Sequence, residues 1–377
     1  MVVNLTSGQV SAWRMKKQHL ARRKKKGELA RVVSDVCGVQ AQVLSAAELG
    51  LRARVEGLHQ EDVRRALWAD HTLVKIWSMR GTLHLLAVAD LPLYLAGLRT
   101  RLLESKLWLG DNLGVSAREV DLITEEIGRI LSKSQLTREE LALEVEKRLS
   151  LRPEVTKHLR SGWGVLLKPA AYQGNLVFGE NIGPKATFFN PKKWKRGGAQ
   201  NADKALEELF YRFLRSYGPA TTRDFGHWWG GLRESDRALL ESSTSALEEV
   251  FYSDHKQKGY MVREDAMEAS RMEPPKGVRL LPSFDCYAMF YHPRDIFVSR
   301  QHRERVFRQS AGWNYPAILV DGAAAGIWSL KRGSRKLAID LEQFRPFNRR
   351  ERSEVREEAA DIGRFLGAPI EVRPTTR

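Results

Sequence analysis

Between positions 6 and 68 apolar residues recur at helical rather than alternating spacing. Thr6 followed by Gln9 has the spacing of a capping box and predicts a helix running through Leu20. Further helices are predicted near Glu28 to Val36, Val43 to Arg52 and Glu61 to Trp68. After Asp70 the period changes. "TLVKIWSM" and "TLHLL" are β-rich runs flanking Arg80-Gly81, a short-turn signal, and read as a hairpin. Helices followed by a two-stranded wing describe a winged helix.

The same grammar recurs twice. Ser116 with Glu119 and Thr137 with Glu140 are capping-box pairs, and Leu141, Val145 and Leu149 share one helical face. A helix near Trp163 to Tyr172 precedes "NLVFG" and "ATFFN", a second candidate hairpin. A third pass has helices from about Asp203 to Tyr217, within "GPATTRDFGHWWGGL" and from Glu234, closed by "LEEVFYS" and "GYMVRED". Beyond "EPPKG" the chain becomes strand-rich, in "VRLLPSFDCY", "IFVSR", "YPAILVDG", "AAGIWSL" and "KLAIDL". A charged helix from Arg349 to Leu366 and a last strand follow. The expected fold is α+β, with three tandem winged-helix units (helix-turn-helix plus β-hairpin) at 1–110, 111–200 and 201–272. A C-terminal β-barrel-like domain at 273–377 completes it.

Composition narrows the function. The 377 residues exceed one ordinary core, and 42% hydrophobic with 9% aromatic residues is globular. No apolar run approaches the ~18 residues of a membrane span, so no membrane partner is expected. The first twenty residues lack the features of a signal peptide. Two cysteines, Cys37 and Cys286, in unrelated contexts exclude a disulfide scaffold and paired zinc spacings. The expected location is cytoplasmic.

Charge points to the partner. Lys and Arg number 62 against 46 acidic residues, a net charge of +16. Such an excess suits a polyanion whose phosphates release counterions on binding. The basic residues cluster in "RRKKK" (Arg22, Arg23, Lys24 onward), "KKWKR" (Lys192, Lys193, Trp194, Lys195, Arg196) and "KRGSRK" (with Arg332 and Arg335). One such run is often only a solvated loop, whereas three suggest contacts that track phosphates. Charge alone does not separate DNA from RNA.

Familiar enzyme signatures are missing: no phosphate-binding glycine loop, nucleophile elbow or His-Glu-x-x-His. The nine histidines are scattered, with none at ligand spacing to a cysteine, so neither a metal nor another cofactor is expected. His227 beside Trp228 and Trp229 reads as packing. His84, alternating with Thr82 and Leu86 in the first hairpin, reads first as a structural histidine and second as a DNA contact. Asp285 in "SFDCY" is either a cap or a carboxylate behind a site, and the cap is the simpler reading.

The remaining oddity is "CGVQAQ", with Gln40 and Gln42 one residue apart beside Gly38. Residues two apart lie on one side of an extended segment and about 200° apart on a helix. At a helix break after Gly38 both amides can face one cleft. Taken alone, a Gln-x-Gln is ordinarily solvent-facing filler.

Several stretches together resemble a known family. "GVQAQVLSAAELGLRARVEGL", "DVRRALW", "TLVKIWSMRGTLHLLAVADLPLYLAGL", "YGPATTRDFGHWWGGL", "LLPSFDCYAMFY" and "YPAILVDGAAAGIWSL" are similar, in order and over nearly the full chain, to the winged-helix DNA glycosylases of the AlkZ type. That family is known from azinomycin resistance, interstrand-crosslink unhooking and bacterial housekeeping relatives. The resemblance implies three winged helices and a C-terminal β-barrel around a DNA channel. It implies hydrolysis of the N-glycosidic bond of N7-alkylated purines, with Gln40 and Gln42 as the catalytic pair and no cofactor. Cys286 departs from the pattern, which has proline after the aspartate.

The chemistry suits amides. An N7-alkylated purine is already cationic and leaves without a general acid, through an oxocarbenium-like sugar. The protein need only hold a water and stabilise spreading charge, which an amide carbonyl does by orientation. The implied partner is double-stranded DNA carrying alkylated purines, bound by a nucleoid-associated monomer through Arg22, Arg23, Lys24, Arg80, His84, Lys192, Lys193, Lys195, Arg196, Arg332 and Arg335. Two other readings remain at this level: a non-catalytic winged-helix transcriptional regulator reading the major groove, and a general nucleic-acid-binding structural protein.

Overall fold

The fold was analysed in a computed structural model that describes residues 3–194, 201–252, 254, 257–308, 313–333 and 336–374. It is a mixed α+β fold in two compact units, one formed by residues 1–64 and 210–377, the other by 65–209.

In the first unit, helix Ser7–Lys17 opens with the expected capping box, Thr6 accepting from the Gln9 amide while Gln9 Oε1 accepts from the Thr6 amide. The helix stops three residues short of the predicted end. His19 turns left-handed (φ 56°), and the Leu20 and His19 amides bond back to the carbonyls of Met15 and Lys16 in a Schellman pattern. Strand Val3–Leu5 lies parallel to Glu248–Tyr252, which pairs antiparallel with Gln257–Met261. Leu5, Val10, Trp13 and Met15 thereby share a core with Val250, Tyr252, Tyr287, Tyr291 and Phe297.

The same unit holds a five-stranded sheet in the order Val278–Leu281, Ala317–Val320, Ala323–Arg332, Leu337–Gln343 and Ile370–Pro374. All neighbours are antiparallel except the last pair. That parallel pair needs a crossover, and the predicted helix Arg349–Leu366 supplies it. Val355, Ala359 and Ile362 of that helix pack on Val278, Leu280, Ile318 and Ile339 of the sheet.

Three predictions in this unit fail locally. "IFVSR" is not a strand: Arg294–Phe297 is a single helical turn, with Ile296 and Phe297 buried in the core and Asp295 holding Arg300 and Arg303. A three-residue apolar run has too little length for its period to show. The strand in "GYMVRED" ends at Met261, because Glu264 and Asp265 belong to the favoured acidic first turn of helix Arg263–Ala269. In "VRLLPSFDCY" only Val278–Leu281 is a strand, and Asp285 caps helix Cys286–Met289.

The second unit is built on helices Leu91–Leu113, Ala117–Leu131 and Arg138–Arg148, the latter two opened by the predicted capping boxes at Ser116 and Thr137. Both predicted hairpins form, Leu73–Trp77 with Leu83–Ala87 and Val177–Ile182 with Lys185–Phe189. They join side by side where Lys75 pairs with Phe178, and Leu136–Thr137 adds to the far edge. Trp77, Phe178 and Phe188 pack edge to face across the join, at 4.6 and 4.9 Å between ring centres. The predicted helix near Trp163 shrinks to Lys168–Tyr172, since Gly164 is left-handed (φ 61°) and a Cβ there would stand 2.4 Å from the Trp77 ring.

Candidate active site and nucleic-acid interface

Helix Leu29–Asp35 ends in front of the glutamines with two successive left-handed residues, Cys37 (φ 58°) and Gly38 (φ 88°). The Gly38 amide bonds the Val33 carbonyl and the Cys37 amide that of Ser34, again a Schellman ending. A non-glycine residue at the first left-handed position costs about 1 kcal/mol or more, so the surrounding packing has to enforce it. The Tyr217 hydroxyl does part of this by donating to the Val36 carbonyl at 2.8 Å. The backbone then runs extended through Val39–Gln40 and bends at Gln42 before helix Leu44–Arg52. Gln40 is buried and Gln42 exposed. A helix break and a short extended segment thus precede the pair, with Gln40 on the strand and Gln42 at the bend after it.

Behind helix Leu44–Arg52 lies a sealed polar network. Arg54, fully buried, donates to both carboxylate oxygens of Asp285 at 2.7 and 2.8 Å and to the Gly50 carbonyl at 2.8 Å. It also reaches Cys286 Sγ (3.2 Å) and Gln18 Oε1 (3.4 Å), while Gln18 Nε2 donates to the Ser216 carbonyl. Burial opposes charge on Arg54, but the facing Asp285 outweighs it and the guanidinium stays protonated. Burial pushes the Cys286 thiol up to about 11, so it stays a neutral thiol. Asp285 is thus the cap that the simpler reading gave, accepting from the Tyr287 amide at 3.0 Å, and it is also the buried counter-charge of Arg54. Cys286 opens its helix, a position where proline also fits. The departure from the family pattern therefore leaves the backbone unstrained and adds a thiol contact.

The candidate DNA-contact residues fall into distinct surroundings. Arg22, exposed, joins Lys16, Lys17, Arg23, Lys24, Lys25, Arg31 and Arg215 in lining a cavity of about 680 Å³, with Glu28 and Asp35 as its acids. Arg22, Lys25 and Arg215 pair with no carboxylate among the described residues. Arg215 was not foreseen, since its helix pattern marks it only as solvent-facing. Arg23 turns inward to Glu358 at 2.5 Å and Asp361 at 3.0 Å, beside the fully buried Arg52 on the same acids. Burial pulls the Arg23 pKa down. Lys24 pairs with Glu28 at 3.3 Å.

In the second unit Arg80 is left-handed (φ 56°) at the hairpin tip and donates to His84 Nε2 at 3.2 Å. His84 is buried, and its Nδ1–H donates to the Thr82 carbonyl at 3.1 Å. Burial, then the Arg80 charge, hold its pKa well below the usual imidazole value, so the ring is neutral. Lys192 is exposed, whereas Trp194 packs on His71 and Phe189 rather than facing a ligand. The side chains of Lys193 and Arg332 and the whole of Lys195, Arg196 and Arg335 lie outside the described residues. In "KRGSRK", Lys331 pairs with Asp340 and Lys336 with Glu371, so these two charges are matched within the sheet. No group of acidic, histidine and cysteine side chains suited to a metal occurs among the described residues, and no described helix is long and apolar enough to cross a membrane.

The class follows from the whole chain: it is a member of the AlkZ-like DNA glycosylases, whose family model matches residues 33–365. These enzymes hydrolyse N-glycosidic bonds in DNA. Among individual proteins it is similar to the interstrand DNA cross-link repair glycosylase of Streptomyces sahachiroi, at 36% identity over 376 residues, covering 95% of this chain and 96% of that one. The solved structure of the Streptomyces sahachiroi DNA glycosylase AlkZ matches with a TM-score of 0.83 and 33% identity, across 99% of this chain and 100% of that one.

Proposed function

We propose that this DNA glycosylase is monofunctional and excises N7-alkylated purines from double-stranded DNA, including bulky adducts and interstrand crosslinks. The observation that carries the reading is the strained break at Cys37–Gly38, pinned through Val36 by Tyr217, from which Gln40 emerges on extended backbone with Gln42 at the bend that follows. The carbonyls of the pair accept hydrogen bonds from a water on the far face of the sugar and stabilise positive charge at C1′. The water oxygen bonds to C1′, and the C1′–N9 electron pair leaves with the base, cancelling the N7 cation. The water's proton passes to solvent, because an amide has no useful basicity. Weak catalysis suffices for a leaving group that is already charged.

The scaffold is read as three winged helices at 1–110, 111–200 and 201–272 with a β-barrel-like domain at 273–377, acting as a nucleoid-associated monomer. The wings are the hairpins ending at Ala87, Phe189 and Met261. The basic cavity around Arg22 supports a phosphate-contacting role for that face. Arg80 and Lys192 are the other proposed contacts, and His84 contributes by fixing Arg80.

Incubating the protein with N7-methylguanine DNA and with crosslinked DNA, followed by alkaline cleavage, tests the activity. Strand breaks only after alkali are expected, because the product is an intact abasic site. A Schiff-base route needs an amine at the sugar carbon, and Lys26 and Lys75 are the lysines nearest in sequence to the glutamine pair. A borohydride-trapped covalent complex would refute monofunctionality, and absence of base release would refute the substrate class.

A further inference from the structure

The unit formed by residues 65–209 contains a pocket of about 740 Å³ that the glutamine chemistry does not use. Its volume falls within the ~300–1,000 Å³ of small-molecule sites. At its floor the hairpin tip passes close to helix Lys168–Tyr172. Gly81 is left-handed (φ 65°), and a Cβ there would stand 3.3 Å from Tyr172 Oη and 3.6 Å from Lys168 Nζ. Two donors therefore converge on one bare stretch of backbone.

Neither donor is satisfied among the described residues. The Lys168 ammonium, half-buried, forms no ion pair or hydrogen bond among the described residues. Tyr172 is only 4% exposed, yet its hydroxyl likewise has no partner there. Burial and the nearby Arg101 lower the Lys168 pKa, the signature of a cation without a counter-charge. Arg80 and Arg101 add two guanidinium groups against one carboxylate, Glu104, on the exposed side of the helix. The missing component is an anion.

The rim identifies its kind. Trp163 is 79% exposed and Trp108 49% exposed, and both line the pocket beside these cations. Trp163 makes no ring or cation contact among the described residues. Aromatic faces held in water next to basic groups are the recognition chemistry of unpaired nucleotides, whose bases stack while their phosphates meet the charges. We propose that this pocket is a second DNA contact that takes an unstacked nucleotide of a single strand, its phosphate on Lys168 and Tyr172 and its base on Trp163 and Trp108. The site rests on DNA being the substrate class and is independent of the catalytic assignment of the glutamines.

Binding without chemistry tests it. Anisotropy of the full chain with a fluorescein-labelled oligothymidylate and with an undamaged duplex, titrated in salt, separates stacking from charge. Replacing both Trp108 and Trp163 by alanine should weaken single-strand binding about tenfold, with the salt slope and the duplex affinity unchanged. Both rings are exposed, so the substitutions leave no core cavity. Lys168→Met should lower the single-strand salt slope by about 0.7, the share of one phosphate. Tyr172→Phe, which keeps the ring, should weaken it several-fold. Wild-type single-strand affinity in the tryptophan double variant overturns the proposal. So do equal losses on duplex and single strand, which would leave only a general basic surface.

Discussion

The Arg54 guanidinium and the Asp285 carboxylate meet end to end at 2.7 and 2.8 Å, each side chain about 1% exposed. This pair joins the turn after helix Leu44–Arg52 to the strand-rich C-terminal part of the chain, close in sequence to the glutamines on one side only. Removing one partner strands the other charge in the interior, which typically costs about 3–5 kcal/mol. Asp285→Ala should therefore lower the urea midpoint by a large fraction of the total stability, measurable by circular dichroism. Arg54→Met with Asp285→Leu should recover part of it, since an apolar pair leaves no orphaned charge. Equal stability of Asp285→Ala and the native chain would mean that water reaches this site.

The glutamine pair should act on the transition state rather than on binding. Gln40→Ala and Gln42→Ala should each slow single-turnover excision of N7-methylguanine while DNA affinity stays the same. A positioned polar group at an oxyanion hole is worth roughly 100-fold. The effect here should be smaller, because the base departs readily. Gln42→Asp should retain activity, since a carboxylate holds the same water and offsets the sugar's charge. Wild-type rates in both folded alanine variants would return the glutamines to the status of helix-start filler.

Two adjacent arginines should behave oppositely. Neutralising Arg22, Lys25 and Arg215 should flatten the salt dependence of duplex binding by about 0.9 for each phosphate that is no longer neutralised. Melting temperature should not move, as none of the three pairs with a carboxylate among the described residues. Arg23→Ala should do the reverse, lowering stability by leaving Glu358 and Asp361 short of a cation. A steep loss of DNA affinity with unchanged stability in Arg23→Ala would place its charge on the DNA instead.

Stability should have an acid limb set partly by Glu351. Its carboxylate is held at about 2 by hydrogen bonds from Arg345, against the opposing effect of burial, with a further bond from the Asn348 amide. Because the folded pKa lies below that of the unfolded chain, the contribution is complete above about pH 4.5 and is lost as pH falls towards 2. Glu351→Gln should thus destabilise the protein by about 1–3 kcal/mol near neutrality. The difference should shrink through that window in urea titrations at successive pH values. A difference independent of pH would assign the effect to capping geometry alone.

Local rules were legible wherever the signal is local. The capping boxes at Thr6, Ser116 and Thr137, the hairpins around Arg80-Gly81 and before "ATFFN", and helix Arg349–Leu366 follow from side-chain spacing and turn chemistry within a few residues. The break at Gly38 and the adjacent glutamine pair could be read in the same way. Failures came where a short apolar run had no period to show, as at Ile296 and Phe297, which the tertiary core holds as a helical turn.

Long-range partnerships had no such trace. Nothing near Val3 indicates that it pairs with Val250, nor near Lys75 that it meets Phe178. The fate of each charge was equally hidden: Arg22 and Arg23 are identical letters in one basic run, yet one faces solvent and the other is held by two acids more than 300 positions away. Composition sets how many cations the chain carries, because that is a sum over residues. Which of them remain available to a phosphate depends on where folding brings the carboxylates, and only the packed chain decides that.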